Sequence, residues 1–440
     1  WIVRAMKLIG IVLLLGAYAS AWAQVAGVAI TNAKVVDEAG IVQENITIIM
    51  QHGVVQAIGT DLPIDDEMDV VDAQGKWVTS GFVAASGHLG LVEVGAVADS
   101  VDTVTQHHQL TAGFKVVDAF NSQSSLIAIA RTEGLTSALI MPSLRNSGDE
   151  GSYANVFAGT AALVDLSGDL RSVRVAEAGV VASLGDDGKD AAGGSRAAAI
   201  AGLRAGLDAG RIYAESADEV SGFELPEALE DAPFSPADLR QFAKVVSGEL
   251  PLIVSVDRAS EILRVIDLVE EYSIRAVIMG GAEAWRVAGP LADAGIGVIL
   301  NGENNLPLSF DHMGARLDSA AILAQAGVQI AFSGENASTH NARNMRQVAG
   351  LAVAHGLPWH QAIKALTLSA AGLLGLESDV GRLQAGALAD LVVWGGDPLE
   401  LMTYPTQVWI DGQLQDLGNR QTRLRDRYLD LNDPMPHAYR

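Results

Sequence analysis

This 440-residue chain contains no cysteine. Disulfide frameworks, thiol nucleophiles and cysteine-ligated zinc are thereby excluded, and stability has to come from core burial alone. Positive charge is scarce as well: 29 Lys and Arg against 53 Asp and Glu leave a net charge of −24. Such a surface repels a phosphate backbone, which sets nucleic acid aside as a partner. Beyond the first residues, no segment reaches the roughly 18 uninterrupted apolar residues that a membrane helix needs. No membrane association is expected once the N-terminal segment has been removed.

What is present points to a large packed core. Apolar residues make up 49% and charged residues 19%, a balance that excludes disorder and fits buried strands. The length allows about two to three domains, or one barrel of roughly 250 residues with attachments. Met6-Lys7, the apolar run Leu8 to Ala17 and the ending Ala21-Trp22-Ala23 have the pattern of a secretory signal. Cleavage is expected after Ala23, which makes the mature protein periplasmic or secreted; an uncleaved N-terminal anchor is the alternative.

From Val25 to Val78, short alternating segments such as Val28-Ala29-Ile30 and Ile46-Thr47-Ile48-Ile49-Met50 are separated by turn residues such as His52-Gly53. This is strand patterning. It returns at the far end in Leu391-Val392-Val393-Trp394 and Val408-Trp409-Ile410, so a small β-sandwich assembled from both chain ends is expected. Between them, strand and helix patterns alternate. Leu252 to Val256, Arg275 to Gly280, Ile296 to Leu300 and Val328 to Phe332 read as strands, with helical periodicity over Glu261–Glu271 and Ala282–Ala294. Such alternation means parallel strands, and enough units close into a (β/α)8 barrel. A doubly wound open sheet is the alternative, although no Gly-x-Gly-x-x-Gly opens a helix after the first strand.

The expected architecture is α/β: a (β/α)8 TIM-like barrel carrying a composite β-sandwich. Its boundaries run 1–23 for the signal, 24–80 and 381–416 for the sandwich, 81–380 for the barrel and 417–440 for a charged tail. Ser195 to Tyr213 is helix-patterned, and Glu215 to Pro236 reads as an acidic surface excursion. In the helix around Trp359, Ala362, Ile363 and Leu366 form a core-facing stripe.

Three stretches, Val71 to Phe82, Ala365 to Leu376 and Gly381 to Trp394, resemble the amidohydrolase superfamily, most closely its imidazolonepropionase-like group. The resemblance implies a hydrolase of carbon–nitrogen bonds other than ordinary peptide bonds, acting on cyclic amides, imidazolones or small peptides. It also implies a divalent metal, zinc by default, that polarises a carbonyl and activates water, with an aspartate after the last strand handling the proton. Homo-oligomers are common in such families, so self-association is a further implication.

Carried onto this chain, the implied ligand positions are mostly occupied by other residues. The first-strand His pair falls on Ser86 and His88, the fifth-strand His on Ser255, and the sixth-strand His on Gly280. The eighth-strand aspartate falls on Gly334, or on Glu335 with a shift of one, and the fourth-strand ligand has no assigned position. His88 is then the candidate metal ligand and Glu335 the candidate catalytic carboxylate. Zinc needs about three protein ligands, so the expectation is either no metal or a single divalent ion. Further residues expected at the mouth are Glu93, Asp257, Glu303, His312 and His340, from which a rebuilt site could be assembled. A Ser–His nucleophile using Ser86 or Ser255 with His88 lacks a visible orienting acid, and His107-His108 reads as a surface loop. Two functions therefore stand: a hydrolase with a reduced or rebuilt site, and a catalytically silent homologue that binds a small ligand or a partner at the barrel mouth.

Overall fold

A computed structural model describes residues 27–36, 40–107, 109–145, 155–216, 225–302, 306–307, 309–334, 339–378 and 380–429. The signal-like segment, His108, Glu303 and Glu335 lie outside these residues. Among the described residues there are sixteen strands, in chain order β1 (Val28–Val36), β2 (Val42–Gln51), β3 (Val54–Gly59), β4 (Asp69–Asp72), β5 (Val78–Ser80), β6 (Phe82–Ala84), β7 (Leu135–Ile140), β8 (Phe157–Asp165), β9 (Val173–Ser183), β10 (Leu252–Val256), β11 (Ala276–Gly280), β12 (Gly297–Leu300), β13 (Ile330–Phe332), β14 (Leu391–Trp394), β15 (Pro405–Ile410) and β16 (Gln413–Leu414).

β6 to β13 form one sheet in sequential order, a nearly closed eight-stranded α/β barrel. Along each strand the side chains alternate between two cores, as the period of two requires. Val83, Leu139, Val181, Ile253, Val277, Ile299 and Ala331 point inward and pack together. Their neighbours Phe82, Ala138, Ala182, Val254, Ile278, Val298 and Phe332 point outward into the layer shared with the helices. Those helices include Ala259–Tyr272 after β10, Ser319–Gln325 after β12 and Met345–Ala354 after β13. The N-terminal end of the barrel is plugged by the helix Leu368–Gly372 and by Leu373, which fills the space above Gly297.

One strand departs from the expected all-parallel order. β8 runs antiparallel to both β7 and β9, while the other neighbouring pairs are parallel. Residues 166–172 between β8 and β9 are too few for a crossover, so these two strands can only form a hairpin. The alternation read from β10 onward did not extend to this region.

The two remaining sheets pack on a common core. β3-β2-β1-β4 is built from the N-terminal part of the chain, whereas β16-β15-β14-β5 joins the C-terminal strands to residues 78–80 through the pairing Leu391↔Ser80. Ile30, Ile48, Val78, Leu391, Val393 and Trp409 meet in that core. The β2–β3 turn uses His52 and Gly53, both at positive φ, as a two-residue hairpin turn requires.

The described residues contain no helix long and apolar enough to cross a membrane. Arg196–Glu215 is helical, close to the expected span, and Arg420–Leu429 forms a helix with no buried residue.

On β9, half-buried Glu177 is held by the ammonium groups of Lys115 and Lys244 and accepts from Gln241 Nε2 at 3.3 Å. Burial alone would raise its pKa, but the two lysines hold it down to about 2. A lowered carboxylate pKa stabilises the fold above the ordinary glutamate range, and this contribution is lost as pH falls through about 2. Glu177→Gln is expected to cost about 1–2 kcal/mol at neutral pH, after discounting the full linkage value for solvent screening. It should also flatten the acid limb of stability against pH. Urea unfolding across pH 2 to 7 measures both effects, and parallel wild-type and variant curves would refute the assignment.

Candidate functional site

The period of two carries each inward core residue to a mouth residue two positions later. Val181 leads to Ser183, Ile253 to Ser255, Val277 to Met279, Ile299 to Asn301 and Ala331 to Ser333, and all five second residues line a cavity of about 410 Å³ at the C-terminal end of the strands. Ser86 and His88 line it too, but from the irregular segment just beyond β6, which ends at Ala84. Strand alternation therefore does not bring those two together; the loop does. His88 Nε2 lies 3.2 Å from Ser143 Oγ, and Gly87 accepts the Met141 N–H.

Opposite this serine-rich wall stands a paired acid and base. Asp257 follows β10, and its Oδ2 lies 3.4 Å from His312 Nε2, while its Oδ1 accepts the Ala282 N–H at 2.9 Å. The other ring nitrogen, His312 Nδ1, lies 2.9 Å from Ser309 Oγ. Burial pushes the Asp257 carboxyl above the usual carboxylate range, and the nearby carboxylates of Asp311 and Glu261 add to this against the Ala282 and His312 contacts.

A buried ion network fixes the loop that presents His312. Asp311, 4% exposed, accepts the Asp186 N–H at 2.7 Å and pairs with Arg196 at 2.7 Å and Arg258 at 2.5 Å. Arg196 also pairs with buried Glu261 at 3.2 Å, and Glu261 in turn accepts the Gly185 N–H at 3.1 Å. The segments after β9, β10 and β12 are thus tied together beneath the mouth. Satisfied charge pairs of this kind hold a loop in one geometry.

The residues expected from the sequence divide by location. Ser86, His88, Ser255, Asp257, Gly280 and His312 line the main cavity. Glu93 and His340 do not; they line a neighbouring cavity whose shared wall is His88. Glu93 is engaged by Asn121 Nδ2 at 3.2 Å and Ser125 Oγ at 3.5 Å. Gly334 does not line the main cavity; the eighth-strand residue that does is Ser333. Ser183 occupies the fourth-strand position that had no assignment. It was missed because the β8–β9 hairpin breaks the regular strand–helix spacing used to count strands. Asn301 and Asp311 were missed too, and no motif marks them.

The metal centre implied by the resemblance can be tested against these residues. Gly280 has φ +95°, and a Cβ there would lie 2.8 Å from Asp257 Oδ1. At Gly334 a Cβ would lie 2.6 Å from the Ala342 carbonyl oxygen and 2.9 Å from that of Asn341. A side chain at the sixth-strand position would have to displace the Asp257 carboxylate and adopt a strained positive φ, whereas the eighth-strand position is closed by backbone. Among the described residues, no three of His, Asp or Glu converge closely enough to hold an ion, and zinc needs about three protein ligands. The described residues do not fit the implied metal.

A further expectation follows from these two blocked positions. Gly280→His and Gly334→Asp are each expected to cost about 1–3 kcal/mol by overpacking, and together not to create a zinc site. Stoichiometric zinc in a double variant of wild-type stability would show the steric reading to be wrong.

Comparison with known proteins bears on ancestry. Residues 292–415 match the model of the amidohydrolase family. "Amidohydrolase tasK" of Hapsidospora irregularis is 21% identical over 402 residues, covering 84% of this chain but 39% of that protein. The chain thus spans about two fifths of the length of this curated relative. An amidohydrolase of Thermotoga maritima MSB8 superposes with a TM-score of 0.77 at 25% identity, over 88% of this chain and 99% of that one. A prolidase complexed with N-methylphosphonate-L-proline shares the fold at a TM-score of 0.53 and 16% identity, over 88% of this chain and 99% of its own. The nearly closed barrel, the appended sheets and these matches support the amidohydrolase superfamily as the ancestry of this chain.

Proposed function

We propose that this protein is a hydrolase of small carbon–nitrogen compounds, such as cyclic amides, imidazolones or short peptides. It works through a reduced site in which Asp257 is the acid–base group. The observation that carries this reading is the Asp257 carboxylate, which stands in the space a sixth-strand ligand would need and borders a cavity of about 410 Å³. A cavity of that size suits a small polar molecule. In this reading Asp257 takes a proton from water as its oxygen attacks the carbonyl carbon, and returns the proton to the nitrogen as the C–N bond breaks. His312 keeps the carboxylate oriented. The hydroxyls of Ser183, Ser255 and Ser333 and the Asn301 amide offer neutral donors to the carbonyl oxygen. An exported setting, periplasmic or secreted, belongs to the same proposal on the signal pattern ending at Ala23.

The serine-rich wall and the blocked Gly334 position favour one second reading, a catalytically silent receptor for the same class of molecule. Assay of the purified protein on a panel of cyclic amides, imidazolones and dipeptides separates the two, with zinc, with manganese and with chelator, alongside calorimetric binding. Turnover insensitive to chelator supports the reduced hydrolase. Binding without turnover supports the receptor. Chelator-sensitive turnover with stoichiometric metal overturns both.

A further inference from the structure

A second cavity of about 410 Å³ lies at the other end of the barrel, where β5 leads into β6 beneath the helix Trp359–Leu366. Among the described residues its polar lining is Thr79, Ser80, His360, Lys364, Arg382 and Gln384, with no carboxylate. This composition is unusual in a chain whose net charge is −24.

Among the described residues, neither cation there has a counter-charge. Lys364 and Arg382 make no ion pair among the described residues, in contrast to the paired arginines Arg174, Arg196 and Arg346. Arg382 Nε is buried and has no hydrogen-bond acceptor. A buried guanidinium N–H without an acceptor is costly, and an anionic oxygen is the acceptor that guanidinium geometry suits best. The hydroxyls add shorter-range donors. Thr79 Oγ1 accepts from Trp394 Nε1 at 2.9 Å, which leaves its own proton free to donate. Ser80 is fixed by the pairing of β5 with β14.

We propose that this junction between the composite sheet and the barrel binds a small oxyanion, the phosphate or carboxylate group of a soluble molecule. The cavity is separate from the mouth: Thr79 and Ser80 precede the first barrel strand, whereas the mouth lies past the strands' C-terminal ends. The proposal therefore stands independently of the reaction assigned there.

Isothermal titration of the full chain with inorganic phosphate, and separately with malonate, at ionic strength matched with potassium chloride, tests it. Saturable binding of at least one anion is expected, weakened tenfold or more in Lys364→Gln and in Arg382→Gln. Circular dichroism and melting curves of both variants check that they remain folded. Phosphate-only binding assigns the site to phosphoryl groups, malonate-only binding to carboxylates, and binding of both to oxyanions in general. No saturable heat beyond the chloride control overturns the proposal, as does equal binding by folded variants.

Discussion

Replacing Arg346 with methionine is expected to destabilise the protein by about 3–5 kcal/mol, the usual cost of stripping one partner from a buried ion pair. Arg346 is fully buried on the helix that follows β13. Its Nε pairs with Glu133 at 2.6 Å, and its Nη1 donates to the carbonyl oxygen of Glu400 at 2.9 Å. One side chain therefore ties the last barrel helix, the turn before β7 and the 398–401 segment. Truncation leaves Glu133 without its cation and those carbonyls without a donor. Adding Glu133→Leu should recover much of the loss, because a pair replaced by apolar groups no longer carries an uncompensated charge. Chemical unfolding of the single and double variants reads the difference. A single-variant loss below about 1 kcal/mol would mean that the pair is solvated like a surface bridge.

The second large effect concerns the mouth. If Asp257 is the acid–base group, Asp257→Asn should lower kcat by about 10²–10⁴, the range for removing a general base, while leaving stability and ligand affinity nearly unchanged. Asparagine is isosteric and can still accept the Ala282 N–H. His312→Gln should have a smaller effect, since His312 orients the carboxylate and does not itself take the proton.

The pH profile gives an independent sign. Burial raises the Asp257 pKa, and a base must be ionised to act. Activity in the wild type should therefore rise with pH through a value above the ordinary aspartate range, and this limb should disappear in Asp257→Asn. Unchanged kcat in a folded Asp257→Asn protein would remove Asp257 from the mechanism. The superfamily assignment would survive that result, because it rests on sequence and fold matches.

Much of the frame was legible in the residues. β10, β11, β12 and β13 each fall within two residues of the expected strands. Their apolar runs are short and bounded by glycine or helix-patterned segments, so periodicity and length agree. The helix Trp359–Leu366 likewise buries Ala362, Ile363 and Leu366. The reversed β8 was not legible, because direction depends on how far the chain must travel between strands and no side-chain pattern encodes that. Among the site residues read from the sequence, Ser86, His88 and Ser255 line the main cavity. Gly334 is not in the main cavity, since a shift of one residue past a strand end changes the side of the wall a side chain faces, and His340, in the Thr339–Asn344 turn well beyond β13, lines the neighbouring cavity instead.

Composition and periodicity by themselves determined an α/β chain of alternating strands and helices with sheet-forming ends and without cysteine chemistry, while the closed barrel and the scarcity of imidazoles at the ligand positions came from the resemblance to the superfamily. Whether the blocked positions could still accept a ligand was decided only in three dimensions. Asp257 stands in the space next to Gly280, and the carbonyls of Asn341 and Ala342 close over Gly334. The physical reason is range. Hydrophobic alternation acts between neighbours in the chain and can be read along it, whereas steric exclusion and the meeting of Asp257 with His312 join residues from different loops, a proximity that exists only once the barrel has formed.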